Sequence, residues 1–132
     1  MLDMLLFAAK IAEPHSKKDM RNFWLGCVGI RKDGALVFSQ NGAVFSTTIS
    51  NYQFLPECHA ECRTLRKMDR GGILYVSRIL RKDQSLAMAM PCGMCQVKIK
   101  SKDIRKVYYS INESQFGVWY VKTDVHRIYD DR

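Results

Sequence analysis

Apolar and polar positions along this chain switch between a helical and an extended period. Leu2, Leu5, Leu6, Ala9 and Ala12 fall on one stripe of a helix that runs to about Glu13. Pro14 closes it, because the residue before a proline avoids helical backbone. After a polar connection from His15 to Arg21, the run from Phe23 to Ile30 is mostly apolar and of strand length. Asp33-Gly34 is a strong hairpin signal, so Ala35 to Ser39 is expected to return as an antiparallel partner. Gln40 to Glu57 is irregular, with a turn at Asn41-Gly42 and a polar stretch over 46–51. His59 to Arg70 reads as a helix ended by Gly71-Gly72. Ile73 to Ile79 is the central-strand candidate, and a charged loop over 81–85 leads through Leu86–Met90 into a helix from Cys92 to about Lys102. Lys106 to Ile111 and Phe116 to Val121 are two further strands. The polar turn between them is too short for a helical crossover, so they are expected to be antiparallel neighbours. Thr123 to Arg132 is charged and is expected to be a short helix or a frayed end.

This order predicts an α/β fold, a three-layer α/β/α domain with a five-stranded mixed sheet, spanning residues 1–132 as one domain. Both later helices would begin at the carboxyl ends of strands, where open α/β sheets place their sites. A chain of 132 residues with 47% apolar content supports one real core and excludes general disorder. Lysine and arginine number 21 against 13 acidic residues, and the net charge of +8 favours anionic partners, a nucleotide phosphate or a nucleic-acid backbone. Isolated pairs such as Lys17-Lys18 read as solvated surface. No apolar run approaches the roughly 20 residues that span a bilayer. Met1–Ala12 contains Asp3 and lacks a basic leader, so it does not read as a signal peptide. Five cysteines without an export segment argue against a disulfide framework and point to the cytoplasm.

The chemistry lies in two short stretches, Cys58-His59-Ala60-Glu61-Cys62 and Pro91-Cys92-Gly93-Met94-Cys95. His59, Cys92 and Cys95 supply one imidazole and two thiolates, enough for a Zn2+ ion that keeps one position open to water. The C-x-x-C spacing lets both sulfurs reach one ion where a loop turns into a helix, and the positive helix end favours thiolates. Glu61 stands near that ion without being used as a ligand, so it can take a proton from water and return it to a substrate. A second arrangement also fits the spacing: Cys58, Cys62, Cys92 and Cys95 as a closed structural site, with His59 and Glu61 on the surface. It leaves His59, Glu61 and Pro91 unexplained. Otherwise Cys27, Cys58 and Cys62 read as small buried hydrophobes, and His15 as solvent-exposed. Phe45, Tyr52 and Phe54 give the irregular segment aromatic content, as anchors into the core or as stacking faces at a pocket rim.

Together the two stretches read H-x-E…P-C-x-x-C and resemble the cytidine and deoxycytidylate deaminase superfamily over nearly the whole chain. The resemblance implies His59, Cys92 and Cys95 as zinc ligands and Glu61 as proton shuttle. It implies that the amide of Ala60 meets the pyrimidine carbonyl and that the carbonyl of Met90 receives the exocyclic amine. It places Asn41 against the sugar hydroxyl and Tyr108 near the base, although a strand tyrosine facing the core fits Tyr108 as well. It also implies a homo-oligomer. Within the family, His-Ala-Glu resembles deoxycytidylate, tRNA adenosine and polynucleotide cytidine deaminases. Pro-Cys-Gly-Met-Cys followed by Gln96, the short chain and the tight last turn resemble free-nucleoside enzymes. Val107-Tyr108-Tyr109-Ser110 resembles deoxycytidylate deaminases. The expected function is therefore hydrolytic deamination of a free cytosine nucleotide or nucleoside, of dCMP or deoxycytidine type. A deaminase acting on cytidine or adenosine in single-stranded DNA or RNA is the alternative, and a non-catalytic zinc-stabilised protein is a third. No membrane partner is expected.

Overall fold

The computed structural model describes residues 2–14, 21, 23–42 and 59–130. The expectations for His15, Lys17-Lys18, Phe45, Tyr52, Phe54, Cys58 and the pocket rim fall outside these residues. Helix α1 (Leu2–Ala12) is followed by strands β1 (Trp24–Ile30) and β2 (Leu36–Gln40), helix α2 (Ala60–Leu65) and strand β3 (Ile73–Ile79). A two-residue strand β4 (Leu86–Ala87), helix α3 (Gly93–Ser101) and strands β5 (Lys106–Ser110), β6 (Gln115–Tyr120) and β7 (Val125–Asp130) complete the order. Among the described residues no helix is long and apolar enough to cross a membrane.

The strands form one mixed sheet in the order β2-β1-β3-β5-β6-β7, with β4 beside the end of β3. The expected hairpin forms between β1 and β2, and Gly34 takes the left-handed backbone (φ 89°) that its turn needs. β3 and β5 run parallel through the α3 crossover, and β5 and β6 are antiparallel neighbours, as the short turn between them requires. Helix α1 covers one face of the sheet, where Leu5 and Ala8 bury against Val28, Tyr75, Tyr108, Phe116 and Val118. Its backbone lies so close to β1 that a Cβ at Gly26 would strike the carbonyl of Ala8 and the amide of Ala12. Helices α2 and α3 cover the other face, with Ala60, Cys62, Leu65, Cys95 and Ile99 packed against Cys27, Leu74, Val76, Val107 and Trp119. The three-layer α/β/α expectation therefore stands.

Three expectations need correcting. The sheet has seven strands among the described residues, not five. The tail is the edge strand β7 rather than a short helix or frayed end, paired with β6 from Gln115↔Asp130 to Tyr120↔Val125. An edge strand open to solvent on both sides carries no apolar alternation for a sequence reading to find. What holds β7 is its ladder together with cross-strand rings: His126 stacks on Trp119 at 5.6 Å, and Tyr129 on Phe116 at 5.6 Å. Helix α2 is also shorter than expected and stops at Leu65. Lys67 and Met68 bond to carbonyls three residues back, and the segment then turns to meet the first hairpin, where Asp69 accepts from the Lys32 amide at 3.2 Å.

Candidate metal centre

Two strand ends and two helix starts build the site. β2 and β3 point the same way in the sheet, so the segments leaving them reach the same edge. His59 is the N-cap of α2 and Cys92 the N-cap of α3, both with extended backbone (ψ 141° and 168°) and neither using its side chain to cap the helix. Cys95 lies within the first turn of α3, whose dipole favours negative charge at that end.

The segment ahead of Cys92 is strapped down. The Ser110 hydroxyl donates to the Ala87 carbonyl at 2.7 Å and accepts from the Arg78 amide at 3.1 Å. The Ala89 amide donates to the Ser110 carbonyl at 2.9 Å, and the Gln96 amide side chain donates to the Pro91 carbonyl at 2.8 Å. On the other side Thr64 donates to the Cys27 carbonyl at 3.3 Å and pins α2 to β1. These bonds fix two helix starts that are far apart in sequence against one another.

The result is a cluster in which the ligand atoms of His59, Cys92 and Cys95 all lie within 4.8 Å of one another. His59 Nδ1 is 3.1 Å from Cys95 Sγ and 3.5 Å from Cys92 Sγ. Cys95 is buried and Cys92 exposed, so the cluster is anchored in the core and open on one side. Its hydrogen bond with Cys62 and its burial push the Cys95 thiol well above its ordinary value. Such a thiol gives up its proton to a soft cation, and zinc binding at this site should release protons.

Glu61 is 4% exposed, and its Oε1 has no hydrogen-bond partner among the described residues. Burial pushes its carboxyl above the usual range, offset in part by its own backbone amide and by His59. An unpartnered buried carboxylate oxygen is costly unless something else bonds to it. One imidazole and two sulfurs fit Zn2+ with a fourth position for water, and this oxygen is free to accept from that water.

The model for the cytidine and deoxycytidylate deaminase zinc-binding region matches residues 3–111. The chain belongs to this family. Among curated proteins no match is found. The family and the His-Cys-Cys cluster together make the chain a zinc-dependent deaminase domain whose substrate is a nucleotide, a nucleoside or nucleic acid.

The fold brings only some of the other predicted site residues of this deaminase towards the cluster. Ala60 is the buried first residue of α2, beside His59 and Glu61, where helix amides lack intrahelical partners. Met90 sits one residue before Pro91 and is exposed. Asn41 follows β2, but its side chain ties the chain entry together: Oδ1 accepts from the Leu25 amide at 2.9 Å and from Arg21 at 3.1 Å, and Nδ2 donates to the Phe23 carbonyl at 2.7 Å. Tyr108 is not brought to the cluster. It lies on the α1 face of the sheet, stacked on Tyr75 at 4.8 Å, because side chains alternate along β5 and its neighbour Tyr109 takes the metal face. Sequence reasoning undervalued two residues. Cys62 Sγ lies 3.6 Å from Cys95 Sγ, and its spacing of three from His59 put both on one helix face. Gln96, directly after the C-x-x-C, fixes the turn before it and carried no spacing signal of its own.

Proposed function

We propose that this chain hydrolytically deaminates a free cytosine nucleotide or nucleoside, of dCMP or deoxycytidine type, to the uracil product. The observation that carries the reading is the buried Glu61 carboxylate, whose Oε1 has no partner among the described residues, beside the His59, Cys92 and Cys95 cluster. Zinc held by these three residues supplies the Lewis acidity that makes water nucleophilic near neutral pH. Glu61 takes a proton from the attacking water and delivers it to N3 of the ring as the C4–O bond forms. It carries the second proton to the exocyclic amine, and ammonia leaves as the C4–N bond breaks. The raised carboxyl of Glu61 suits both transfers, since an acid–base group works best with its pKa close to the working pH. The amide of Ala60 meets the pyrimidine carbonyl, and the carbonyl of Met90 receives the exocyclic amine. Tyr108 has no part in this reading.

Support for a free substrate comes from the short link between β5 and β6, the tight turn by which the sequence resembles the free-nucleoside members of the family. The second reading, deamination within single-stranded DNA or RNA, draws on the charge of +8. Self-association belongs to the proposal. Met90, Met94 and Val97 are exposed around the start of α3, an apolar surface suited to a second copy, and sedimentation analysis tests it. Zinc-loaded protein assayed for ammonia release against cytidine, deoxycytidine, CMP, dCMP and single-stranded DNA tests the substrate. Turnover of dCMP or deoxycytidine is expected, and turnover of the DNA alone contradicts the reading.

A further inference from the structure

We infer that the end of the sheet opposite the metal centre is a docking surface for the sugar–phosphate backbone of a single-stranded nucleic acid. The strand register defines that end: Ile30, Ile73, Lys106, Tyr120 and Val125 are successive neighbours across it. The His-Cys-Cys cluster sits at the start of α3 and this surface beyond its end, so the nine residues of α3, at about 1.5 Å each, separate the two by roughly 14 Å.

Two adjoining cavities of about 590 and 540 Å³ open there and share Arg105 and Lys122. Lys106 and Arg127 add two more cations to the first. None of these four has a carboxylate within ion-pair distance among the described residues. The carboxylates nearby are engaged elsewhere. Asp103 accepts from Arg70 at 2.6 Å, and Asp124 accepts from the Trp119 indole at 2.9 Å and lies 3.8 Å from Lys100. Like charges gathered without counter-ions raise the local potential and are relieved by a bound anion.

The shape selects the anion. A single phosphate needs a closed nest of donors, whereas these cations are spread over the start of β5, the β6–β7 turn and β7 itself, as a chain of phosphates demands. Tyr120 and Val125 give the first cavity an apolar wall on which unpaired bases can rest, and a duplex presents no such bases. Most of these residues lie beyond residues 3–111, the segment that the family model matches. Lys122 and Arg127 project from the exposed hairpin that the charged tail forms. The inference does not depend on which cytosine species the catalytic centre takes.

The test uses labelled oligothymidylate, which holds no cytosine, with zinc-loaded protein and fluorescence anisotropy across a salt series. Binding is expected to weaken as a power of salt concentration. Each phosphate contact on a single strand contributes about 0.7 to that slope, so K122A/R127A should bind about 25-fold more weakly near 0.1 M salt, with the slope reduced by about 1.4. K10A/K82A removes the same charge from two exposed sites elsewhere and should bind like the parent. Three results overturn the inference: salt-independent or absent binding, equal loss in both double variants, or displacement of the oligomer by thymidine monophosphate at equal phosphate concentration.

Discussion

The two faces of one sheet bear different burdens. On the α1 face Ser77 donates to the Leu5 carbonyl at 2.6 Å, Tyr75 and Tyr108 stack ring on ring, and the group left without a partner among the described residues is the neutral Trp24 indole N–H. On the α2/α3 face the same strands back Cys27, Cys62, Cys95, Thr64 and Glu61, and among the described residues one Glu61 oxygen has no partner. Successive residues of one strand, Tyr108 and Tyr109, fall on opposite sides of this divide. An unmet neutral indole costs less than a buried carboxylate oxygen with no partner, and the face that tolerates the latter has given up stability, as chemistry at a site requires.

The comparison can be broken in several places. Cys92→Ala should lose both zinc and turnover, read as metal per chain by atomic absorption. Glu61→Ala should keep zinc yet lose about 10²–10⁴-fold in kcat, the range for an acid–base group. Full activity in that variant removes the mechanism. On the opposite face Tyr108→Ala should cost about 3–5 kcal/mol of stability, as deleting a buried ring does, with KM unchanged at a temperature where the variant is folded. A raised KM at unchanged stability would return Tyr108 to the substrate. Asn41→Ala strands the Leu25 amide and the Phe23 carbonyl and should cost about 1–3 kcal/mol in denaturant melts. A change instead in the ratio of deoxycytidine to cytidine turnover would make Asn41 a sugar contact. The smallest effect belongs to Tyr109→Phe, which removes a 3.2 Å bond to His126 and should cost about 1 kcal/mol without loss of zinc.

Much of this was legible in the sequence where local chemistry and tertiary need agree. Asp33-Gly34 gives the hairpin its turn, Pro14 ends α1, and the short link after β5 leaves no room for a crossover, so those elements and their pairing follow from local rules. The H-x-E and C-x-x-C stretches named the metal ligands because so few arrangements satisfy zinc. What escaped depends on partners remote in sequence. β7 has no periodicity, since neither of its sides is buried, and only β6 makes it a strand. The face taken by Tyr108 is set by strand register, and a one-residue slip would exchange it with Tyr109. Helix α2 ends early because the first hairpin captures Asp69 and the carbonyl of Lys67.

X-ray absorption at the zinc edge of the loaded protein addresses the central claim most directly. Two sulfur ligands at about 2.3 Å and two lighter ligands at about 2.0–2.1 Å are predicted, from Cys92, Cys95, His59 and water. Three or four sulfurs would mean that Cys62 or Cys58 closes the site, and a closed site leaves Glu61 with no water to deprotonate.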